Sequence, residues 1–246
     1  LVLFFKKEIK QRYAYLVLFI IIPVIIVGSW MFRNYLKYDR FVISTTGGYD
    51  LWIGNNPQAN GEMEPSQEIV DYFNNYGFVN IDKKGMSEVK NFAFHEPLKF
   101  LKLQLVKTSK YFSLIRPTGW WHHLNKLGKS LTLLFSGLFG AIGFIFGISG
   151  IWLLLKEKNF FHRLLVFFAV CGPIAVIPIV VGTRYRYQIY PFLAIFAAYF
   201  LVMLFVKKQK ELYKIPLIIF LIFLLNSIYD LIASFDVFLE HLRRIV

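Results

Sequence analysis

The residues best suited to recognition chemistry fall in two polar stretches. The first is Ser44-Thr45-Thr46-Gly47-Gly48-Tyr49-Asp50-Leu51-Trp52-Ile53-Gly54-Asn55-Asn56-Pro57, dense in Gly, Asn, Thr and aromatic residues. Gly47-Gly48 opens backbone angles closed to other residues and lets the chain approach a ligand closely. Asn55-Asn56-Pro57 and Asn60-Gly61 are turn formers. Such a stretch is either a folded loop that binds something or a structural cap on a helix bundle. The second stretch is Thr183-Arg184-Tyr185-Arg186-Tyr187-Gln188. Its guanidinium groups suit a phosphate, because they keep their charge and donate in pairs. The competing use is snorkelling to lipid headgroups. If this segment is extended, Arg184, Arg186 and Gln188 point to one side and Tyr185 and Tyr187 to the other. If it is helical, Arg184 and Gln188 share a face instead.

Other candidates carry less. His95-Glu96 resembles the start of a zinc-binding helix, but the motif needs a second His where Lys99 stands. His122-His123 could ligate a metal, yet it adjoins Trp120-Trp121 at a membrane entry, where such residues are expected anyway. There is no P-loop and no GxSxG. Asp39, Asp50, Glu62, Glu64, Asp71 and Glu96 are available acids, but no spacing selects one as a base. No catalytic residue, metal site or cofactor is assigned.

The elements that must position these groups are apolar helices. The chain is 57% hydrophobic and only 17% charged, against about 25% charged in soluble domains. The formal net charge is +13, but the basic residues sit mainly beside apolar runs, where they anchor to headgroups and set topology. That distribution argues for membrane lipid as a partner and against nucleic acid. The single cysteine, Cys171, lies inside an apolar run and excludes an internal disulfide.

Five spans are expected. Residues 13–32 form the first, with Pro23 tolerable in lipid and Trp30 and Tyr35 at the interface. Residues 130–233 hold the other four, over Leu131 to Leu155, Leu164 to Val181, Phe192 to Val206, and Ile215 to about Ile232. Gly137, Gly140, Ala141, Gly143, Gly147 and Gly150 allow close helix approach in the second span. The basic linkers 6–12, 156–163 and 207–214 alternate correctly for the cytoplasmic face. Residues 33–129, the Arg184 segment and the tail 234–246 then share the outer face. The chain opens at Leu1, and the charges of Lys6 to Arg12 follow an apolar start, so the signal-peptide arrangement is missing. Residues 1–12 are expected to be a cytoplasmic linker after a truncated helix, in a carboxy-terminal piece of a longer protein.

Within 33–129, extended segments are expected around Phe41-Val42-Ile43 and Tyr49 to Ile53. Short helices are expected over Ser66 to Phe73 and over Ser87 to Phe94, with a turn at Lys83-Lys84-Gly85. His95-Glu96-Pro97 should break the second, and Pro97 should open a basic amphipathic helix with Leu98, Leu101 and Leu105. Such a helix either lies in the membrane interface or packs on the loop region. The fold class expected is an all-α polytopic membrane protein with a mixed extracytoplasmic region of short helices and extended segments.

Taken in order, Trp30-Met31-Phe32-Arg33-Asn34-Tyr35 followed by the Ser44 to Pro57 stretch and Gly61 resembles the carboxy-terminal half of GT-C class membrane glycosyltransferases. The similarity is to the family of protein O-mannosyltransferases and lipid A aminoarabinose transferases. Phe94-His95-Glu96-Pro97-Leu98-Lys99-Phe100-Leu101, with Lys107 after it, looks like the family's juxtamembrane helix. Arg184-Tyr185-Arg186-Tyr187-Gln188-Ile189-Tyr190-Pro191 is similar to its Arg-x-Arg segment. The resemblance implies an inverting sugar transfer from a polyprenyl-phosphate donor on the outer face of a bacterial cytoplasmic membrane. It implies that Arg184 and Arg186 hold the donor phosphate. It gives Arg33, Asn34, Gly47, Gly48, Tyr49, Trp52, Asn55 and Asn56 to the wall of the sugar or acceptor pocket. The family's catalytic acid lies in its first outer loop, which has no counterpart in residues 1–246. Sugar and acceptor are not specified. Two other classes compete: a non-catalytic scaffold or export subunit, and a transporter. Spans nearly free of ionisable groups argue against the transporter.

Overall fold

The computed structural model describes residues 9–116, 126–157 and 159–235. His122-His123, Trp120-Trp121, Lys158, the residues before Ile9 and most of the tail lie outside the described residues. The architecture is all-helical, and no strand occurs among the described residues.

The first apolar run forms α1 (Ile9–Tyr38), a helix that passes through Pro23 and continues six residues beyond the expected boundary at 32. Helix α2 (Gly47–Gly54), helix α3 (Gln67–His95) and helix α4 (Pro97–Phe112) build the region between the spans. The large apolar helices follow as α5 (Lys126–Lys156), α6 (Phe160–Val176), α7 (Tyr190–Leu201, extended by a π turn to Val206) and α8 (Lys214–Ala233). Residues 13–38, 130–156 and 210–233 are long and apolar enough to cross a membrane, while α6 and the α7 segment are shorter apolar helices.

The tightest packing is between α5 and α7. A Cβ on Gly150 would stand 2.0 Å from the Phe196 carbonyl oxygen, and one on Gly147 would stand 2.7 Å from Leu193 Cδ2. Those two glycines let the helices touch along their backbones. Gly137 and Gly143 face open space instead. Phe144, Ile189, Leu193 and Phe223 form one buried cluster, and Leu154, Val166, Ala169 and Phe196 form another. Cys171 is exposed on α6.

Several local expectations are corrected. Tyr49 to Ile53 is helical, in α2, and Phe41 to Ile43 is irregular rather than paired in a sheet. Lys83-Lys84-Gly85 is helix, not turn, and Ser87 lies inside α3 rather than at the start of a separate helix. The real break in α3 is Gly77, whose φ of 71° only glycine adopts cheaply. Gly85 is small for a different reason: a Cβ there would stand 2.2 Å from the Gly48 carbonyl oxygen. The α3–α4 break at His95-Glu96-Pro97 occurs as the sequence indicates, with Pro97 in the first turn.

Candidate functional site

Helix α2 carries most of the first polar stretch, and packing explains its composition. A Cβ on Gly48 would meet the Asp82 carbonyl at 2.0 Å, so α2 and α3 cross with their backbones in contact. The Asp82 carboxylate accepts from the Gly48 N–H at 2.6 Å and pairs with Arg40. An acid at a helix N-terminus is favourably placed against free N–H groups. Trp52 and Ile53 bury themselves with Ile69 and Ile81, with Tyr49, Tyr72, Phe73 and Val89 packed around them.

The C-terminal end of α2 is equally occupied. Asn55 Nδ2 donates to the carbonyls of Leu51, Pro178 and Ile179 at 2.9 to 3.0 Å. Its Oδ1 accepts from Gln104 and Lys107 at 2.8 and 2.7 Å. Asn56 bonds the Trp52 and Ile53 carbonyls and accepts from the Gln58 N–H. Gly54 lies against the Ile179 carbonyl, and the Val181 N–H donates to the Gly61 carbonyl at 2.9 Å. Gly48, Trp52, Asn55 and Asn56 thus serve the docking of α2 on α3, α4 and the turn after α6. Gly47 and Tyr49 stay half-buried.

Arg33 and Asn34 belong to a separate place. Asn34 is buried and donates to the Val42 and Ile43 carbonyls, fixing the chain that leaves α1. Trp30 Nε1 also donates to the Ile43 carbonyl. Arg33 is exposed, donates to Asn34 Oδ1 at 2.9 Å and stacks 5.0 Å from the Trp30 ring. Trp30, Arg33 and Ile43, but not Asn34, border an apolar cleft of about 510 Å³ with Ile26, Val27 and Ser29.

The second polar stretch is a 3-10 turn, Thr183–Gln188. At three residues per turn it matches neither an extended strand nor an α-helix, and it separates the two arginines. Arg184 is exposed, with its guanidinium 5.3 Å from the Tyr185 ring. Arg186 is only 2% exposed. Its Nη2 donates to the Lys110 carbonyl at 2.6 Å and its Nη1 to the Arg116 carbonyl at 2.8 Å. It therefore caps the C-terminal end of α4, where carbonyls lack intrahelical partners.

One link joins the two stretches. Asp50, on the half-buried side of α2, has its carboxyl pushed up by burial and by the Asp82 charge, while the Arg184 charge acts the other way. Burial and the Asp50 charge also raise the Tyr49 hydroxyl. The Arg184 charge thus reaches Asp50, whose charge acts on Tyr49, and these three groups are here called the polar corner.

A buried charge network joins Glu62, Lys110, Arg116 and Asp230, and the sequence did not reveal it. Glu62 Oε1 accepts from Lys110 Nζ at 2.6 Å and from Arg116 Nη1 at 2.8 Å. Arg116 also forks onto Asp230 of α8, at 2.5 and 2.8 Å, and reaches Ser234 Oγ at 3.1 Å. Burial alone would raise the Glu62 carboxyl, but the Arg116 and Lys110 charges outweigh it and leave it below the usual range. Asp230 was the available signal: an acid within an apolar span demands a partner. His95 bonds the Asn91 carbonyl and Glu96 pairs with Lys99, so both are locally engaged.

Comparison with protein-family models, with curated proteins and with solved structures gives no match.

Proposed function

We propose that the chain is part of a GT-C class membrane glycosyltransferase that moves a sugar from a polyprenyl-phosphate donor to an acceptor on the outer face of a bacterial cytoplasmic membrane. This part supplies donor-phosphate and lipid binding, and the catalytic acid comes from elsewhere. The observation that carries the proposal is an exposed guanidinium, Arg184, on the turn between two apolar helices, with its charge bearing on half-buried Asp50. Arg184 is the arginine placed to take a lipid phosphate directly. Arg186, spent on two carbonyls, holds the turn that presents it.

The helical layout suits that role. Five spans, with 33–129 outside, put the basic linkers at 6–12, 156–163 and 207–214 on the cytoplasmic side. On α4, Leu98, Leu101 and Leu105 are 81%, 57% and 64% exposed, and Phe94 at the end of α3 is 83% exposed. Lys99 and Lys102 are exposed beside them. An apolar stripe flanked by lysines fits the headgroup boundary. The other end of α4 is tied to a span, through Asn226 Nδ2 to the Ser109 carbonyl and the Leu114 N–H to Ser227 Oγ.

The test is donor affinity in the complete protein with Arg184→Ala. The proposal expects weakened binding of a polyprenyl-phosphate sugar with unchanged folding. Unchanged affinity would remove the assignment. A second reading, a non-catalytic scaffold, is favoured by the internal use of Gly48, Trp52, Asn55 and Asn56. That reading expects no donor binding by the wild-type protein at all.

A further inference from the structure

Lys107 is fully buried and has no carboxylate partner among the described residues. Its Nζ donates to Asn55 Oδ1 at 2.7 Å, to the Pro178 carbonyl at 2.9 Å and, weakly, to the Ile179 carbonyl at 3.4 Å. Each of these acceptors already holds another donor. Gln104 Nε2 bonds Asn55 Oδ1 at 2.8 Å, and Asn55 Nδ2 bonds both carbonyls at 3.0 Å. The ammonium is therefore not required to satisfy them. Its methylene stem packs against Gly61, where a Cβ would stand 2.4 Å from Lys107 Cγ, and an apolar side chain of the same length would fill that space. Charging an amine buried here without a counter-ion is costly, so the closed knot favours its neutral form and an open one its charged form.

We propose that the knot joining α2, α4 and the turn after α6 is a proton-operated latch, in which Lys107 takes up one proton from solvent when the knot opens and returns it when the knot closes. The surroundings leave the amine to act alone. Asn55 of α2 and the Pro178–Val181 segment bring no titratable side chain to it. The 56–62 loop brings Glu62, whose carboxylate is taken by Lys110 and Arg116. On α4 itself, Lys110 is held by that same Glu62, and Tyr111 is buried with its hydroxyl pushed up to about 12 by burial. Burial brings the Lys107 amine down to about 7, from the ordinary 10.5. Between those values the open state holds a proton that the closed state lacks. Closure is thus favoured as pH rises through that window, and opening as pH falls toward 7. Below it both states are protonated and the dependence ends.

Hydrogen exchange of the complete protein in lipid nanodiscs, corrected for the intrinsic pH dependence of exchange, tests this. In the wild type, opening of residues 54–61 and 176–181 should fall as pH rises above 7, approaching tenfold per pH unit as expected for about one proton. Lys107→Met should abolish the slope and keep these segments closed. A flat wild-type profile, a slope shared equally by residues 67–95, or an undiminished slope in Lys107→Met would each overturn the latch. If Lys107→Met does not fold, Lys107→Gln takes its place, and the wild-type profile already decides between a latch and none.

Discussion

Lys107 Nζ and Asn55 Oδ1 meet at 2.7 Å with both residues wholly removed from solvent. Fifty-two residues apart in sequence, they bring α2 and α4 together over the carbonyls of Pro178 and Ile179. This contact ties the polar layer to the turn that follows α6.

Asn55→Leu should therefore loosen the layer. The change leaves the Leu51 carbonyl without its side-chain donor and removes the acceptor shared by Gln104 and Lys107. Each buried polar group left unpaired costs about 1–3 kcal/mol. A fall in the thermal unfolding midpoint in detergent is the expected result, and an unchanged midpoint would deny Asn55 this role.

Gly48→Ala should be destabilising despite alanine's better helix propensity. The added methyl would stand 2.0 Å from the Asp82 carbonyl oxygen, which belongs to backbone and cannot swing away. Overpacking of this kind costs about 1–3 kcal/mol. Gly47→Ala is the control, since nothing lies within 4 Å of the corresponding Cβ. Denaturant titration of the pair should separate them.

The start of α4 and the three long apolar helices were legible in the sequence because they rest on local rules: Pro97 opens α4, and apolar runs mark α1, α5 and α8. The α2 helix was not, because Gly47-Gly48 reads as a loop. The glycine at 48 answers instead to the Asp82 backbone thirty-four residues away, a long-range contact with no local signature. Likewise the four lysines of α4 look equivalent along the chain. Only the fold divides them, leaving Lys99 and Lys102 outside and burying Lys107 and Lys110. Of the candidate site, the resemblance gave Arg184 and Arg186 one shared phosphate, whereas the 3-10 turn sends them to different surroundings.

Arg116→Ala should cost more than any neutral change nearby. It strands Asp230 and leaves Glu62 with Lys110 alone. Removing one partner of a buried ion pair typically costs about 3–5 kcal/mol. Arg116→Ala with Asp230→Asn should recover part of that loss. Absence of any recovery in unfolding experiments would show that the two residues are not coupled.

Acid should weaken the same network. The Glu62 carboxyl is held below its ordinary value, about 4.3. Its contribution is therefore present above that value and is lost as pH falls toward the lower folded value. Unfolding midpoints measured across this acidic range should fall for the wild type and fall less steeply for Glu62→Gln. Equal slopes would contradict the assignment.

The central claim is that a lipid phosphate docks at the corner formed by Arg184, Asp50 and Tyr49. A polyprenyl phosphate carrying a diazirine beside its phosphate, photolysed with the complete protein in nanodiscs and mapped by mass spectrometry, addresses it directly. Label on peptides covering 47–50 and 183–190, lost in Arg184→Ala, is the predicted result. Label confined to other segments, or unaffected by that substitution, would contradict it.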